Sequence, residues 1–541
     1  MESSGPEKKH DMENCHSWEE RKEKMKTPKE GIQHRGLLPF PFKSAFLGAA
    51  LVGLMAHGMA LFNKFSWHDD IFSLFLTGET ITSGRWMLHV LGEAEILLFG
   101  DGHFSLPLMN GLFSLLCIAT SAGLTASRLK FRSRVLCILL GGVMAAFPFV
   151  TALFGFMFTA HYYMLAMLLM IISGLLIGGK HPWWAKALGI LMGGCSVGIY
   201  QAFLPLLLTT VVLCDLSGTG EDALKFPDIW KKLAVQALCI VGVMGVYMAG
   251  SAFFLNLYQL KMSPYMGLNE AGSLPVETYL ARAGRAYAEF FCPTSGETWD
   301  MFPTHIRHIR LLIIFLNGFL GLRMIFLTWQ KKRSQAMAQI LLLALFPLGC
   351  NFIFVLSGEV HGLMMYGQVA QFMLLALLAD RAEFQRSRLR RATAGISAVA
   401  LGVSCLMYVR YANQCYLKTE FQQEQAISWT NTLITRIKSV QGYRDEYPVA
   451  WIGRYSMLDQ SLYNMDELDF LTLSGYDADL QEYLNNWTWT IFMARWCGFS
   501  PFTADATEWK NRPEVRDMPC YPEDGSIQVL DETVVVKFGE E

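Results

Sequence analysis

The chain has 541 residues; 52% are hydrophobic and 17% charged, against about 25% charged in an ordinary soluble domain. Lys and Arg number 45, Asp and Glu 47, so the net charge is −2. These figures exclude a disordered chain, a collagen-like fibre and a nucleic-acid binder working by bulk charge, and with the long apolar runs they point to the lipid bilayer rather than a simple soluble enzyme.

Residues 1–43 carry 9 basic and 8 acidic side chains and no long apolar stretch. They read as a polar cytoplasmic tail and not as a cleavable signal, which needs its apolar core near the start. Eleven apolar runs follow, at 44–62, 104–126, 135–154, 157–178, 185–200, 202–215, 233–256, 311–328, 336–356, 362–379 and 393–411. The predicted fold class is a polytopic α-helical membrane protein with about 11 transmembrane helices and a small α/β extracytoplasmic C-terminal domain. Pro205 leaves open the alternative that 185–215 is one kinked helix.

Orientation follows from Lys and Arg in the short connections. Arg128 to Arg134, Lys180 and Lys186, Lys225 to Lys232, Lys331 to Arg333, and Arg381 to Arg391 all fall on one side if the eleven runs alternate. The N-terminus is then cytoplasmic and residues 412–541, with net charge −11, lie outside. Residues 44–411 form the membrane body, net +8, with long outer loops at 63–103 and 257–310. Long ordered loops in a compact protein are usually functional.

The first outer loop holds Trp67-His68-Asp69-Asp70. Adjacent carboxylates repel, and partial burial can raise one pKa, as a general base requires. An Asp is equally a good helix N-cap. Successive helical residues point about 100° apart, so one carboxylate can cap while the other faces a cleft. Residues alone leave the two readings balanced. Arg85, in Thr82-Ser83-Gly84-Arg85-Trp86, can snorkel or hold a phosphate bidentately. Glu79, Glu93, Glu95 and Asp101 are further acids in that loop, some of them simply solvated.

Other polar groups sit at the outer ends of spans: His161 with Tyr162 and Tyr163, Tyr200 with Gln201, and Glu359 with His361. Arg307 and Arg310 are one helical turn apart and, with Arg85, Arg282 and Arg285, could neutralise a lipid-linked phosphate. Headgroup anchoring explains any one of them as well. Ionisable groups near spans mark function by default, and their concentration at outer ends suits surface chemistry better than a midplane transport site. His68, Glu79, His161, Tyr162, Gln201, Glu359 and His361 are therefore the candidate substrate-cleft residues.

Most of the twelve cysteines lie in apolar runs and no zinc signature occurs. Cys497 and Cys520 can pair if their domain faces an oxidising space. No cofactor and no metal are expected, since no His/Asp cluster has ligand spacing, although an Asp pair alone can hold magnesium through waters.

In the last 130 residues, 412–440 read as a helix leaving the final span, Val449–Ile452 as a strand, and 526–530 and 533–538 as two strands joined at Asp531-Glu532. Trp487, Trp489, Trp496 and Trp509 resemble sugar-stacking residues, but core packing accounts for most of them.

Asn63-Lys64-Phe65-Ser66-Trp67-His68-Asp69-Asp70 followed by Ser83-Gly84-Arg85-Trp86 resembles the first outer loop of the bacterial glucosyltransferase family related to type II serotype-converting enzymes. The Gly198-Ile199-Tyr200-Gln201 turn, the Asn431 to Ile437 helix, Val449 to Gly453, Asp524-Gly525-Ser526 and Val534 to Lys537 resemble it too, over most of 44–541. The resemblance implies a GT-C-like glycosyltransferase of the bacterial plasma membrane. Its donor would be a polyprenyl-phosphate sugar, its acceptor a cell-envelope glycan, and no nucleic acid would be a partner. Asp69 or Asp70 would be the catalytic base, with inversion, and Arg85 would steady the leaving phosphate. A lipid-linked glycan flippase, a glycan polymerase or ligase, and a non-catalytic scaffold in which the Asp pair is only a cap are the alternatives.

Overall fold

The computed structural model describes residues 38–66, 69–78, 80–100, 102–218, 226–263, 274–291, 302–383, 388–453, 468 and 489–539. Residues from Pro41 onward form one compact unit.

Helix α1, Phe40–Phe62, is apolar along its length. It packs against α5 further on through glycine. A Cβ at Gly48 would fall 2.2 Å from Ile138 O, and one at Gly141 would fall 2.0 Å from Ala45 O. Only glycine lets the two backbones touch there, as at close helix crossings in lipid. After α1 the chain forms α2, Asp69–Phe72, a 3₁₀ turn Ile81–Ser83, and α3, Trp86–Phe99. The first outer loop thus carries two α-helices and a 3₁₀ turn among its described residues.

Next come α4, Pro107–Arg128; α5, Arg134–Ala146; α6, Pro148–Phe154; and α7, Met157–Gly178. Helices α5 and α6 are one apolar run bent by 41° at Pro148, the expected effect of a missing N–H and a ring clash. The start of α5 is held by Asp380, whose carboxylate accepts from the N–H groups of Arg132 (2.9 Å) and Ser133 (2.8 Å). Helix α8, Trp183–Ile199, and α9, Leu204–Gly218, are separated by the 3₁₀ turn Gln201–Phe203. They are two helices, not one kinked helix, and Pro205 stands near the start of α9, where a missing N–H costs least.

The bundle continues with α10, Phe226–Leu257; α11, Val276–Phe291; α12, Thr304–Trp329; α13, Arg333–Cys350; and α14, Ile353–Leu356. Helix α15, Ala370–Glu383, follows two 3₁₀ turns, and α16, Arg388–Ser439, runs for 52 residues. At 1.5 Å per residue α16 is about 78 Å long, far more than a bilayer core of about 30 Å requires. Its first part packs in the bundle. There His57 of α1 bonds Tyr416 Oη (2.8 Å) and Ala145 O (2.9 Å).

Each of the eleven predicted runs is helical among the described residues. Among the described residues eight helices are long and apolar enough to cross a membrane, or nine with the bent pair. Trp183–Ile199 (17 residues) and Ala370–Glu383 (14 residues) are shorter.

The C-terminal region carries β1, Val449–Ile452; α17, Trp489–Trp496; α18, Ala506–Lys510; α19, Pro513–Arg516; β2, Ile527–Leu530; and β3, Thr533–Lys537. The sheet order is β1-β3-β2, with β1 parallel and β2 antiparallel to β3. The β2–β3 turn is made by Asp531 and Glu532, both at positive φ (44° and 60°), the backbone a two-residue hairpin demands. Trp429, Trp451 and Trp489 gather round Phe538. Trp489 and Trp509 are buried, as expected of core residues, and Trp487 lies outside the described residues. Cys497 closes α17 and Cys520 sits in the turn before β2; both thiols are free, which corrects the expected pairing.

Candidate active site

Asp69 and Asp70 open α2 and diverge. Asp70 is fully buried. Its Oδ2 accepts from Lys64 Nζ (2.5 Å) and Ser66 Oγ (2.7 Å), and its Oδ1 from Ser105 Oγ (2.8 Å) and the Phe158 N–H (3.0 Å). Four donors, one of them charged, compensate the desolvation of this carboxylate. Burial pushes the Lys64 ammonium down from its ordinary value, and Asp70 draws it part of the way back. The turn is tied to α16: Gln423 Oε1 accepts from the Ser66 N–H (3.2 Å) and Gln423 Nε2 donates to Lys64 O (3.2 Å). Arg495 of α17 donates to Ile71 O at 2.9 Å.

Asp69 is half-buried and lines a cavity of about 560 Å³. Arg85, Gln201 and His361 line the same cavity, together with Tyr163, Tyr200 and Tyr247. Phe72, Leu76, Val197, Met244 and Ile353 supply apolar wall. A few polar groups in a largely apolar concavity is the usual build of a small-molecule site.

Arg85 stands immediately before α3. Its Nη1 donates to Tyr163 Oη at 3.1 Å, and its Cζ lies 5.6 Å from the Tyr200 ring centroid and 5.9 Å from that of Tyr163. The two tyrosine rings stack at 4.3 Å. The guanidinium is thus held by ring faces and a hydroxyl. Two sequence motifs meet at this wall. Gln201 Nε2 donates to Ser83 O (2.7 Å) and lies 3.3 Å from Tyr247 Oη. Cβ atoms at Gly198 and Gly250 would fall 2.7 Å and 2.3 Å from the Trp86 indole. Trp86 is therefore packed between two glycines.

The remaining predicted residues divide. Gln201 and His361 are in the cavity wall; His68 and Glu79 lie outside the described residues. Glu359 is exposed and does not line the cavity. Neither Arg307 nor Arg310 lines it. Arg307 Nη2 donates to Thr304 Oγ1 at 3.3 Å. Arg310 is 1% exposed and donates to Glu289 O (2.9 Å) and Phe290 O (2.7 Å), the last carbonyls of α11, where a cation satisfies a helix C-terminus.

His161 and Tyr162 belong to another cluster. The Glu95 carboxylate accepts from Tyr162 Oη and His103 Nδ1 (3.1 Å), with His161 Nε2 at 3.7 Å. Burial pushes the Glu95 carboxyl up, but hydrogen bonds from His161, Tyr162 and His103 outweigh it and hold it down to about 2. No spacing in the sequence announces this group, because its members come from α3, the 100–106 segment and α7. Tyr247 was equally invisible, an aromatic inside a long apolar helix. Lys64, six residues before Asp70, carried a signal: it is one of two basic residues in its loop.

A half-buried carboxylate and a guanidinium in one cavity suit an enzyme that takes a proton from one reactant and holds an anionic group of another. Among the described residues, eight helices of the same chain are long and apolar enough to cross a membrane. A family model described as glucosyl transferase GtrII matches residues 58–372, and the chain belongs to that family. It is thereby a membrane glycosyltransferase related to the type II serotype-converting glucosyltransferases. Neither the curated proteins nor the solved structures contain a match to it.

Proposed function

We propose that the protein transfers glucose from a polyprenyl-phosphate donor to a hydroxyl of a cell-envelope glycan, at the outer face of the bacterial plasma membrane, in the manner of GT-C enzymes. The observation that carries this reading is the joint presence of Asp69 and Arg85 in one cavity. The basic connections support placing the 1–43 tail in the cytoplasm and the 412–541 domain outside.

Asp69 accepts the proton of the acceptor hydroxyl. The hydroxyl oxygen bonds the anomeric carbon from the face opposite the lipid phosphate. The bond from that carbon to the phosphate oxygen breaks, and polyprenyl phosphate leaves with the electron pair; the configuration inverts. Arg85 neutralises the departing phosphate, and its ring contacts orient it in advance. Asp70 and Lys64 hold the helix that aims Asp69.

The test is donor choice. The reconstituted full-length chain is offered labelled polyprenyl-phosphate-glucose or a uridine-diphosphate sugar, each with envelope glycan. Transfer from the lipid-linked sugar alone is expected. Transfer from the nucleotide sugar with no lipid present contradicts the reading.

A further inference from the structure

We propose that Glu95, His103 and His161 bind a divalent transition-metal ion, zinc by its ligand set, as a clip behind the proposed active site. Among the described residues these three bring one ligand atom each to within 4.8 Å of one another. A tetrahedral zinc with legs of about 2.0–2.2 Å spaces its ligand atoms roughly 3.4 Å apart. Here the carboxylate Oε2 is 3.1 Å from His103 Nδ1 and 3.7 Å from His161 Nε2, on either side of that figure. The two imidazoles lie nearly parallel, 8° apart with centroids 5.9 Å from each other, and each turns an edge to the same carboxylate. Two imidazoles and one carboxylate are a borderline-hard set that favours zinc over magnesium or calcium. The Tyr162 hydroxyl, which also meets Glu95, or a water completes the shell.

A neutral imidazole ligates through the nitrogen that lacks hydrogen. Binding therefore needs hydrogen on His103 Nε2 and His161 Nδ1. In the structure the nitrogens facing Glu95 carry the hydrogens, and the far atoms are buried with no hydrogen-bond partner among the described residues, so nothing else holds them and binding moves each ring's hydrogen to the far nitrogen.

The place explains the use. Ser105, two residues after His103, donates to Asp70, as does the N–H of Phe158, three residues before His161. An ion joining α3, the 100–106 segment and α7 would fix the two short stretches that hold Asp70. None of the three ligands lines the cavity, so they are positioning residues and not catalytic ones.

The test uses the full chain, purified in detergent without a polyhistidine tag, stripped with chelator and titrated with zinc. Metal content and thermal melting are read. Wild type should take up one more tightly bound zinc per chain than the His103→Ala/His161→Ala double variant, and zinc should raise its melting temperature by a few degrees. Glu95→Gln, which preserves shape and hydrogen bonds to the rings, controls for folding and should lose both effects. Equal zinc uptake by wild type and Glu95→Gln, with no difference in melting, overturns the proposal. The readouts do not involve sugar transfer, so their failure leaves the transferase reading standing, and the reverse holds too.

Discussion

The Lys64 ammonium lies 2.5 Å from Asp70 Oδ2, and this buried pair separates the roles of two adjacent carboxylates. Asp70 is enclosed by four donors, while its neighbour Asp69 lines the cavity. Asp70→Asn leaves Lys64 without its counter-ion at a half-buried site. Removing one member of a fully buried pair costs on the order of 3 kcal/mol, and the 30% exposure of Lys64 makes the cost here smaller. Asp70→Asn should therefore lower the melting temperature, and Lys64→Met in the same chain should restore part of the loss. Melting of both variants in detergent checks this; an unchanged Asp70→Asn melt contradicts the structural role.

Arg85→Gln should lower kcat/KM for the lipid-linked donor by about 10²–10³-fold, the usual effect of deleting one group that stabilises developing charge. Arg85→Lys should recover only part of it. The charge stays, but the planar fork that meets Tyr163 and stacks on Tyr200 is lost. Steady-state kinetics decide, and a loss under threefold in Arg85→Gln counts against phosphate binding by this residue.

Gly84 has φ +75°, and a Cβ there would fall 2.2 Å from Tyr247 Oη and 3.2 Å from Gln201 Nε2. Gly84→Ala should displace both side chains at the cavity wall and reduce transfer by at least about tenfold, since misplacement by about 1 Å can cost 10²-fold. Tyr247→Phe removes the clashing hydroxyl and should return part of the activity to Gly84→Ala. Transfer rates of the two single variants and the double variant give the answer; additive losses contradict the steric account.

Arg310→Met strands two carbonyls at the end of α11. An unsatisfied buried acceptor costs about 1–3 kcal/mol. The variant should melt earlier, and its folded fraction should keep the wild-type KM for the donor. A raised donor KM with unchanged melting would return Arg310 to the role of a phosphate ligand.

These outcomes separate what the sequence makes legible from what it hides. Continuous apolar stretches announce helices, and all eleven predicted runs are helical. The division of two helices at Gln201–Phe203 matches the separate runs read at 185–200 and 202–215, and Gln201, a predicted cleft residue, joins the cavity wall there. Asp69 and Arg85 stood out because charge in an apolar context is costly and has to be explained. Arg310 stood out for the same reason, yet its cost is met by helix carbonyls, and no sequence pattern distinguishes a guanidinium that holds phosphate from one that caps a helix. Glu95, His103 and His161 were unreadable as a group because segments distant along the chain bring them together.

The central claim is that Asp69 removes the acceptor proton. Single-turnover transfer from labelled polyprenyl-phosphate-glucose, measured for wild type and Asp69→Asn in proteoliposomes, tests it most directly. A fall of about 10²–10⁴-fold, with melting temperature and donor binding retained, is the result predicted for loss of a general base. Transfer by Asp69→Asn at the wild-type rate would contradict it.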